Sequence, residues 1–279
     1  MTTIRAVSSV DIDQRREALK QVFAQASVCT RCQELAATRK SVVFGAGNAN
    51  ADLMFVGEAP GASEDEQGLP FVGRAGKLLE TLLKEIGLER KDVFIANVLK
   101  CRPPGNRDPL PLEIENCREY LYRQVELIQP RVICSLGNFS TKLLRDDPTG
   151  ITRLHGQPQE LTLGRRTVRL YPIFHPAAAL YTPRMLETLR QDFARLPELL
   201  AQPEPAQPVA GEAEALEQAA ASREQSEGGP AKSAAAAPAD AKSRGGALSD
   251  VGAPGGGSAG GSPAGGDEQA GAVDQLGLF

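Results

Sequence analysis

Short apolar runs that stop at a glycine or a polar loop, separated by amphipathic helical stretches, restrict the fold of this chain most. Residues 53–56 form such a run and end at Gly57; residues 93–99, 132–135 and 168–174 are the others. Runs of four to eight apolar residues read as strands buried on both faces. Between them, residues 73–86 put Leu78, Leu79, Leu82, Leu83 and Ile86 on one helical face. Residues 112–128 form another helix, with Pro111 suited to its first turn. Residues 12–26, the stretch from the third run through Leu144, and residues 183–200 read as further helices. Strands alternating with helices predict an α/β fold, a three-layer αβα sandwich around a central, mostly parallel four-stranded sheet. Ligands bind such sheets beyond the C-terminal strand ends. Three polar loops, 57–73, 100–110 and 175–183, fall there and predict one shared site.

Only part of the 279-residue chain has the composition to build that core. From residue 201 onward Ala, Gly, Ser, Pro and Glu dominate, and no aromatic residue occurs between Phe193 and Phe279. Such a stretch cannot bury enough apolar surface to offset its ordering entropy, so 201–273 is expected to be a disordered linker. Residues 1–200 then form one domain. The formal net charge is −4 for the whole chain and −7 for residues 201–279, leaving +3 on the domain. A mildly basic domain with an acidic tail is compatible with nucleic acid as a partner. No signal-peptide pattern or membrane-length apolar run is present, which predicts a cytoplasmic protein with reduced thiols.

Cys29 and Cys32 form a CxxC pair; Cys101 and Cys117 lie far downstream. Four cysteines in this pattern fit tetrahedral zinc or an iron–sulfur cluster, and spacing does not choose between them. Cys134 sits inside the third apolar run and reads as a small buried hydrophobe. In the first loop, Gly57-Glu58-Ala59-Pro60-Gly61 lets the backbone approach a ligand closely. Phe71, flanked by Pro70 and Val72-Gly73, is an aromatic in a loop, suited to stacking on a flat ligand such as a nucleobase. Asn97 ends the second strand, where a buried carboxamide needs partners and can read a base edge. The Cys101–Arg107 segment is rigid and basic, suited to phosphate. His175 opens the third loop and is the candidate site histidine; His155 reads as a surface or structural residue.

In this order the residues resemble the family 4 uracil-DNA glycosylases, the iron–sulfur, thermophile-type branch. The resemblance is carried by the CxxC pair, GEAPG at 57–61, EDxxGxPFVG at 64–73, ANVLKCRPPGNR at 96–107, the Cys117 spacing and HPAAAL at 175–180. It spans about residues 20–200. It implies a [4Fe–4S] cluster on Cys29, Cys32, Cys101 and Cys117, and excision of uracil by base flipping and hydrolysis of the N-glycosidic bond, the first step of base excision repair. By carry-over Phe71 stacks on uracil, Asn97 reads its O4 and N3 edge, the backbone at Glu58 and Ala59 lines the other side, and His175 donates toward O2. The better-known uracil glycosylases carry a water-positioning aspartate where this chain has Ala59, so Asn106, with Glu58, is the expected substitute. Leu180 is the expected wedge behind the flipped base. The competing reading is a non-catalytic, metal- or cluster-bearing DNA-binding adaptor.

The last residues, Gln275-Leu276-Gly277-Leu278-Phe279, resemble the bacterial sliding-clamp-binding pentapeptide. Leu276, Leu278 and Phe279 would fill an apolar groove and Gln275 would make polar contacts. A linker of about 70 residues has a root-mean-square span of roughly 45 Å, which tethers the domain without orienting it. The expected state is a monomer acting on uracil-containing DNA near the nucleoid.

Overall fold

Every residue of Leu53–Gly57 is buried, and its side chains alternate between two apolar layers. Met54 and Val56 join a cluster with Leu19, Phe44, Leu121 and Val125; Leu53 and Phe55 join a second with Leu79, Leu83, Tyr171 and Phe193. A continuous apolar run is what a strand covered on both faces requires.

The computed structural model describes residues 9–208. In chain order they form α1 (Ser9–Ser27), α2 (Gln33–Thr38), β1 (Ala46–Gly47), β2 (Leu53–Gly57), α3 (Ala62–Gln67), α4 (Arg74–Glu85) and β3 (Phe94–Asn97). Then come α5 (Pro111–Ile128), β4 (Val132–Leu136), α6 (Asn138–Arg145), α7 (Ile151–Leu154), β5 (Gln159–Leu163), β6 (Arg166–Ile173), α8 (Pro176–Ala179), α9 (Pro183–Ala194) and α10 (Leu196–Ala201). The sheet order is β1-β3-β2-β4-β6-β5. The inner strands β3, β2, β4 and β6 run parallel, and the edge strands β1 and β5 pair antiparallel. Helices α1 and α5 cover one face; α4, α9 and α10 cover the other. The chain therefore has the three-layer α/β architecture.

The four predicted strands are the parallel core, and the count rises to six. The two-residue β1 is too short to carry a pattern. β5 alternates exposed and half-buried positions, as an edge strand does, and turns into β6 through Gly164 at φ 59°. The predicted closing helix over 183–200 is two helices. Pro197, in the first turn of α10, has no amide hydrogen to continue α9.

The linker was expected to start at residue 201, but residues 202–208 lie against the strand starts. Arg131 donates to the Gln202 carbonyl, Arg169 to the Pro203 carbonyl (3.2 Å), and Arg166 pairs with Glu204. The Gln207 amide bonds both backbone groups of Thr167, at 3.1 and 2.9 Å, as a neighbouring strand would. Those partners are three arginines and the Thr167 backbone of the core domain, invisible in the composition of the tail. The rest of the expected linker, 209–273, and the terminal peptide 275–279 lie outside the described residues.

Candidate active site and four-cysteine site

The parallel strands β2, β3 and β6 deliver Gly57, Asn97 and the loop to His175 to the same end of the sheet. There they open on a cavity of about 410 Å³ lined by Glu58, Ala59, Phe71, Asn97, Asn106 and His175, with Glu64 and Arg107 beside them. All three loops expected to meet do so.

Asn97 is almost fully buried, and its side-chain Nδ2 has no hydrogen-bond partner. A buried amide donor left unpaired costs about 1–3 kcal/mol unless a ligand accepts from it. Gly57 makes room beside it. A Cβ there would stand 2.3 Å from Asn97 Oδ1 and 2.8 Å from Phe71 Cζ. Gly57→Ala is therefore expected to displace Asn97 and Phe71 and to lower the melting temperature, overpacking a buried site costing about 1–3 kcal/mol. An unchanged melting temperature would show that the two side chains yield.

Phe71 sits at φ 54°, unusual for a bulky residue. Three groups hold it there. Arg90 donates to the Phe71 carbonyl at 2.9 Å and to the Pro70 carbonyl at 2.6 Å. The Glu64 carboxylate accepts from the Val72 and Gly73 amides, both at 3.0 Å, and from Gly61 at 3.1 Å, tying the first loop to the one carrying Phe71. Gly76 passes so close to the Phe71 carbonyl that a Cβ would lie 1.7 Å from it. The Phe71 ring stands 5.6 Å from the His175 ring, tilted by 30°.

His175 caps α8, its Nδ1 accepting from the Ala177 amide at 3.1 Å. Nδ1 is thus the acceptor nitrogen and Nε2 carries the proton of the neutral ring. Burial lowers its pKa to about 4, against a weaker upward pull from Glu64. Glu58 is raised, first by burial and then by the negative charge of Asp108. Asn106 lines the cavity, but its Oδ1 already accepts from Arg102 Nε at 2.7 Å. Arg107 is committed elsewhere, paired with Glu113 at 2.6 Å and Glu34 at 2.7 Å.

The cysteines gather on the α1–α5 side. Cys29 and Cys32 lie between α1 and α2, Cys101 follows β3, and Cys117 is on α5; none forms a disulfide. Each sulfur receives a donor. Tyr120 and the backbone and guanidinium of Arg31 donate to Cys29, Asn116 to Cys32 at 3.5 Å, Arg39 to Cys101 at 3.3 Å, and the Lys100 amide to Cys117 at 3.3 Å. Burial raises Cys29, but the Tyr120 and Arg31 bonds outweigh it and the thiol falls below its ordinary value. Burial raises Cys32 and Cys101, and pushes Cys117 up to about 11. Cys32 feels the charge of Cys29, Cys101 that of Cys29 and Cys32, and Cys117 that of Cys101 and Cys32. No three His, Cys, Asp or Glu side chains among the described residues stand close enough to share one metal ion. Donors aimed at each sulfur suit a thiolate-bound group. Cys134 is fully buried inside β4, apart from this set.

Residues 44–198 match the Uracil DNA glycosylase superfamily. The chain belongs to that superfamily. A Type-4 uracil-DNA glycosylase of Archaeoglobus fulgidus is 45% identical over 68% of this chain and 96% of its own length. One from Sulfurisphaera tokodaii is 43% identical over 67% of this chain and 87% of its own. One from Thermotoga maritima is 43% identical over 60% of this chain and 85% of its own. Within this uracil-DNA glycosylase fold, sequence reasoning located the pocket residues but missed two that hold them. Arg90 had no signal, because its partners are backbone carbonyls of another loop. Glu64 was visible only as part of a motif; as the third residue of α3, after Gly61, it could have been read as reaching back to the loop amides. No helix among the described residues is long and apolar enough to cross a membrane.

Proposed function

We propose that this protein excises uracil from DNA by hydrolysing the N-glycosidic bond of a flipped deoxyuridine, initiating base excision repair. The observation that carries the reading is the unpaired Asn97 Nδ2 in a base-sized cavity beside Phe71 and His175. A carboxamide offers a donor to uracil O4 and an acceptor to N3–H. Phe71, held rigid by Arg90 and Glu64, supplies the stacking face. The backbone at Glu58 and Ala59 closes the other side.

Bond breaking leaves negative charge on the departing uracil and positive charge on the sugar. The neutral His175, with its proton on Nε2, donates to O2 as that charge develops, and needs no proton transfer to do so. Glu58, half-buried at the mouth, and Asn106 orient the water that attacks the sugar. Asn106 brings its carboxamide already fixed by Arg102. Leu180, partly buried after α8, would be the wedge where the base stack parts; it is followed by the exposed Tyr181, which accepts from Arg74 at 2.7 Å. The products are free uracil and an abasic site.

Cys29, Cys32, Cys101 and Cys117 would hold a [4Fe–4S] cluster. Each of these sulfurs receives a donor, and Cys32, Cys101 and Cys117 each feel the charge of another, which suits thiolate ligation of such a group. The cluster would supply a covalent tie between the α1–α2 turn, the loop after β3 and α5, outside the chemical step. A non-catalytic adaptor needs no cavity of this shape, which argues against the competing reading.

Incubating the protein with an oligonucleotide carrying one deoxyuridine, then cleaving abasic sites with alkali, tests the proposal. Cleavage at that position alone, absent with thymidine, supports it; an intact strand rejects it. Asn106→Ala in the same assay tests its share in orienting water, and an unchanged single-turnover rate removes that role.

The pentapeptide Gln275, Leu276, Leu278 and Phe279 would bind a bacterial sliding clamp, bringing a monomeric, cytoplasmic enzyme to nucleoid DNA. Deleting 275–279 should abolish co-elution with the clamp while leaving activity on short oligonucleotides intact. Loss of both would contradict the tether.

A further inference from the structure

Lys100 is the most enclosed of the acidic and basic side chains among the described residues, at 1% exposure. Its Nζ donates to the Asn97 carbonyl at 2.8 Å and to Gln124 Oε1 at 2.6 Å, and stands 5.8 Å from the centre of the Phe44 ring. Those partners are neutral. A buried cation costs several kcal/mol unless an anion compensates it, and among the described residues no carboxylate forms an ion pair with it. The sulfurs are the remaining source of negative charge once they bind a group as thiolates. Cys101 is the next residue, and the Lys100 amide donates to Cys117 Sγ at 3.3 Å. The backbone is pinned as well, its carbonyl accepting from Val43 at 2.8 Å. Gln124 is pinned in turn, its Nε2 donating to the Phe44 carbonyl at 2.9 Å. One residue therefore touches a proposed cluster ligand with its amide and the peptide of Asn97 with its side chain.

We propose that Lys100 is a positioning residue that couples the four-cysteine site to base reading: its ammonium balances the thiolate charge at Cys101 and Cys117 while its bond to the Asn97 carbonyl fixes the carboxamide that reads uracil. The second half rests on the uracil-excision reading of Asn97. If the cysteines lose their bound group, Lys100 loses its counter-charge, and the strand end carrying Asn97 loses its anchor.

The test uses the holoprotein and Lys100→Met, a neutral chain of similar length. Iron and sulfide content, the midpoint potential and inhibition by free uracil are measured on both. The potential should shift negative, because removing a nearby positive charge disfavours the more negatively charged reduced state. Affinity for free uracil should weaken about tenfold, the scale of one lost charge-assisted bond, with a smaller change in kcat. Wild-type potential or wild-type uracil affinity in the loaded variant would overturn the coupling. If Lys100→Met does not accumulate folded, Gln124→Met decides. It keeps the cation but removes one acceptor from Nζ, so uracil affinity should fall at unchanged potential, and unchanged affinity would overturn the proposal. The wild type in the same assay separates the two readings. An inactive wild type rejects the role of Asn97, whereas an active wild type with unaltered variants rejects Lys100 alone.

Discussion

Replacing His175 with phenylalanine should slow uracil release in single turnover by about 10²–10³-fold, the usual loss when one donor to a developing anion is removed. Phenylalanine keeps a ring against Phe71, whose centre lies 5.6 Å away, so the pocket wall survives. The exposed Ala177 amide can bond water in place of Nδ1. What disappears is the Nε2–H. The pH profile checks the same assignment. Burial holds the folded imidazole at about 4, below its ordinary value near 6.5. Between those values the unfolded chain binds a proton that the folded chain does not, so this residue's contribution to stability is complete above 6.5 and is lost as pH falls toward 4. The neutral donor is present throughout the range above 5. The wild-type rate should show no inflection near 6.5 that disappears in His175→Phe, and should fall only as pH approaches 4, where protonation of Nδ1 breaks the cap on Ala177. An inflection near 6.5 traceable to His175 would place its ionisation in the wrong range for this role.

Cys117→Ala should lose the bound iron and sulfide and lower the melting temperature by about 10 °C. Joining Cys32 to Cys101 and Cys117 through a common group closes a long loop. Cross-linking a loop of that size stabilises by about 4 kcal/mol, and a domain of this size shifts by about 2–4 °C for each kcal/mol. Packing loss alone must be separated from loss of the group. Cys134→Ala is the comparison, since Cys134 is equally a buried thiol but lies inside β4, away from the other four. It should keep full iron content and lose only the small stability of a missing sulfur. Full loading of Cys117→Ala, or equal melting of the two variants, would sink the four-cysteine assignment.

The parallel core was legible because a strand covered on both faces must be apolar at nearly every position, and that requirement is written locally. Each pocket residue was legible for a similar reason. Gly57, Asn97 and His175 end strands or open loops, and a parallel sheet sends all such ends to one side. β1 and β5 were not legible. One is two residues long, and the other has a half-exposed face whose alternation is weak beside the continuous runs.

His155 shows the same limit from the other side. It was read as a surface or structural residue for lack of context, and its context is tertiary. Its ring stands 4.5 Å from that of Phe174, and its Nδ1 lies 3.5 Å from the Asp192 carboxylate on α9. Burial raises Asp192, against the pull of His155 and then Arg195. Nothing within a few residues of His155 announces Asp192.

By itself the sequence determined the layer architecture, the end of the sheet that carries the site and the residue types gathered there. These follow from short-range patterns: apolar periodicity, glycine at turns and cysteine spacing. Only the tertiary structure decided how those residues are held. Phe71 keeps a left-handed backbone because Arg90 and Glu64 bond the peptides around it. Lys100 is held where it is because the Asn97 carbonyl and Gln124 accept from its ammonium, and residues 202–208 lie against the sheet because three arginines of the domain meet them. Each depends on hydrogen bonds between groups distant in the chain. Such bonds leave no periodic trace in the sequence, because a backbone carbonyl or amide partner looks the same whatever side chain it carries.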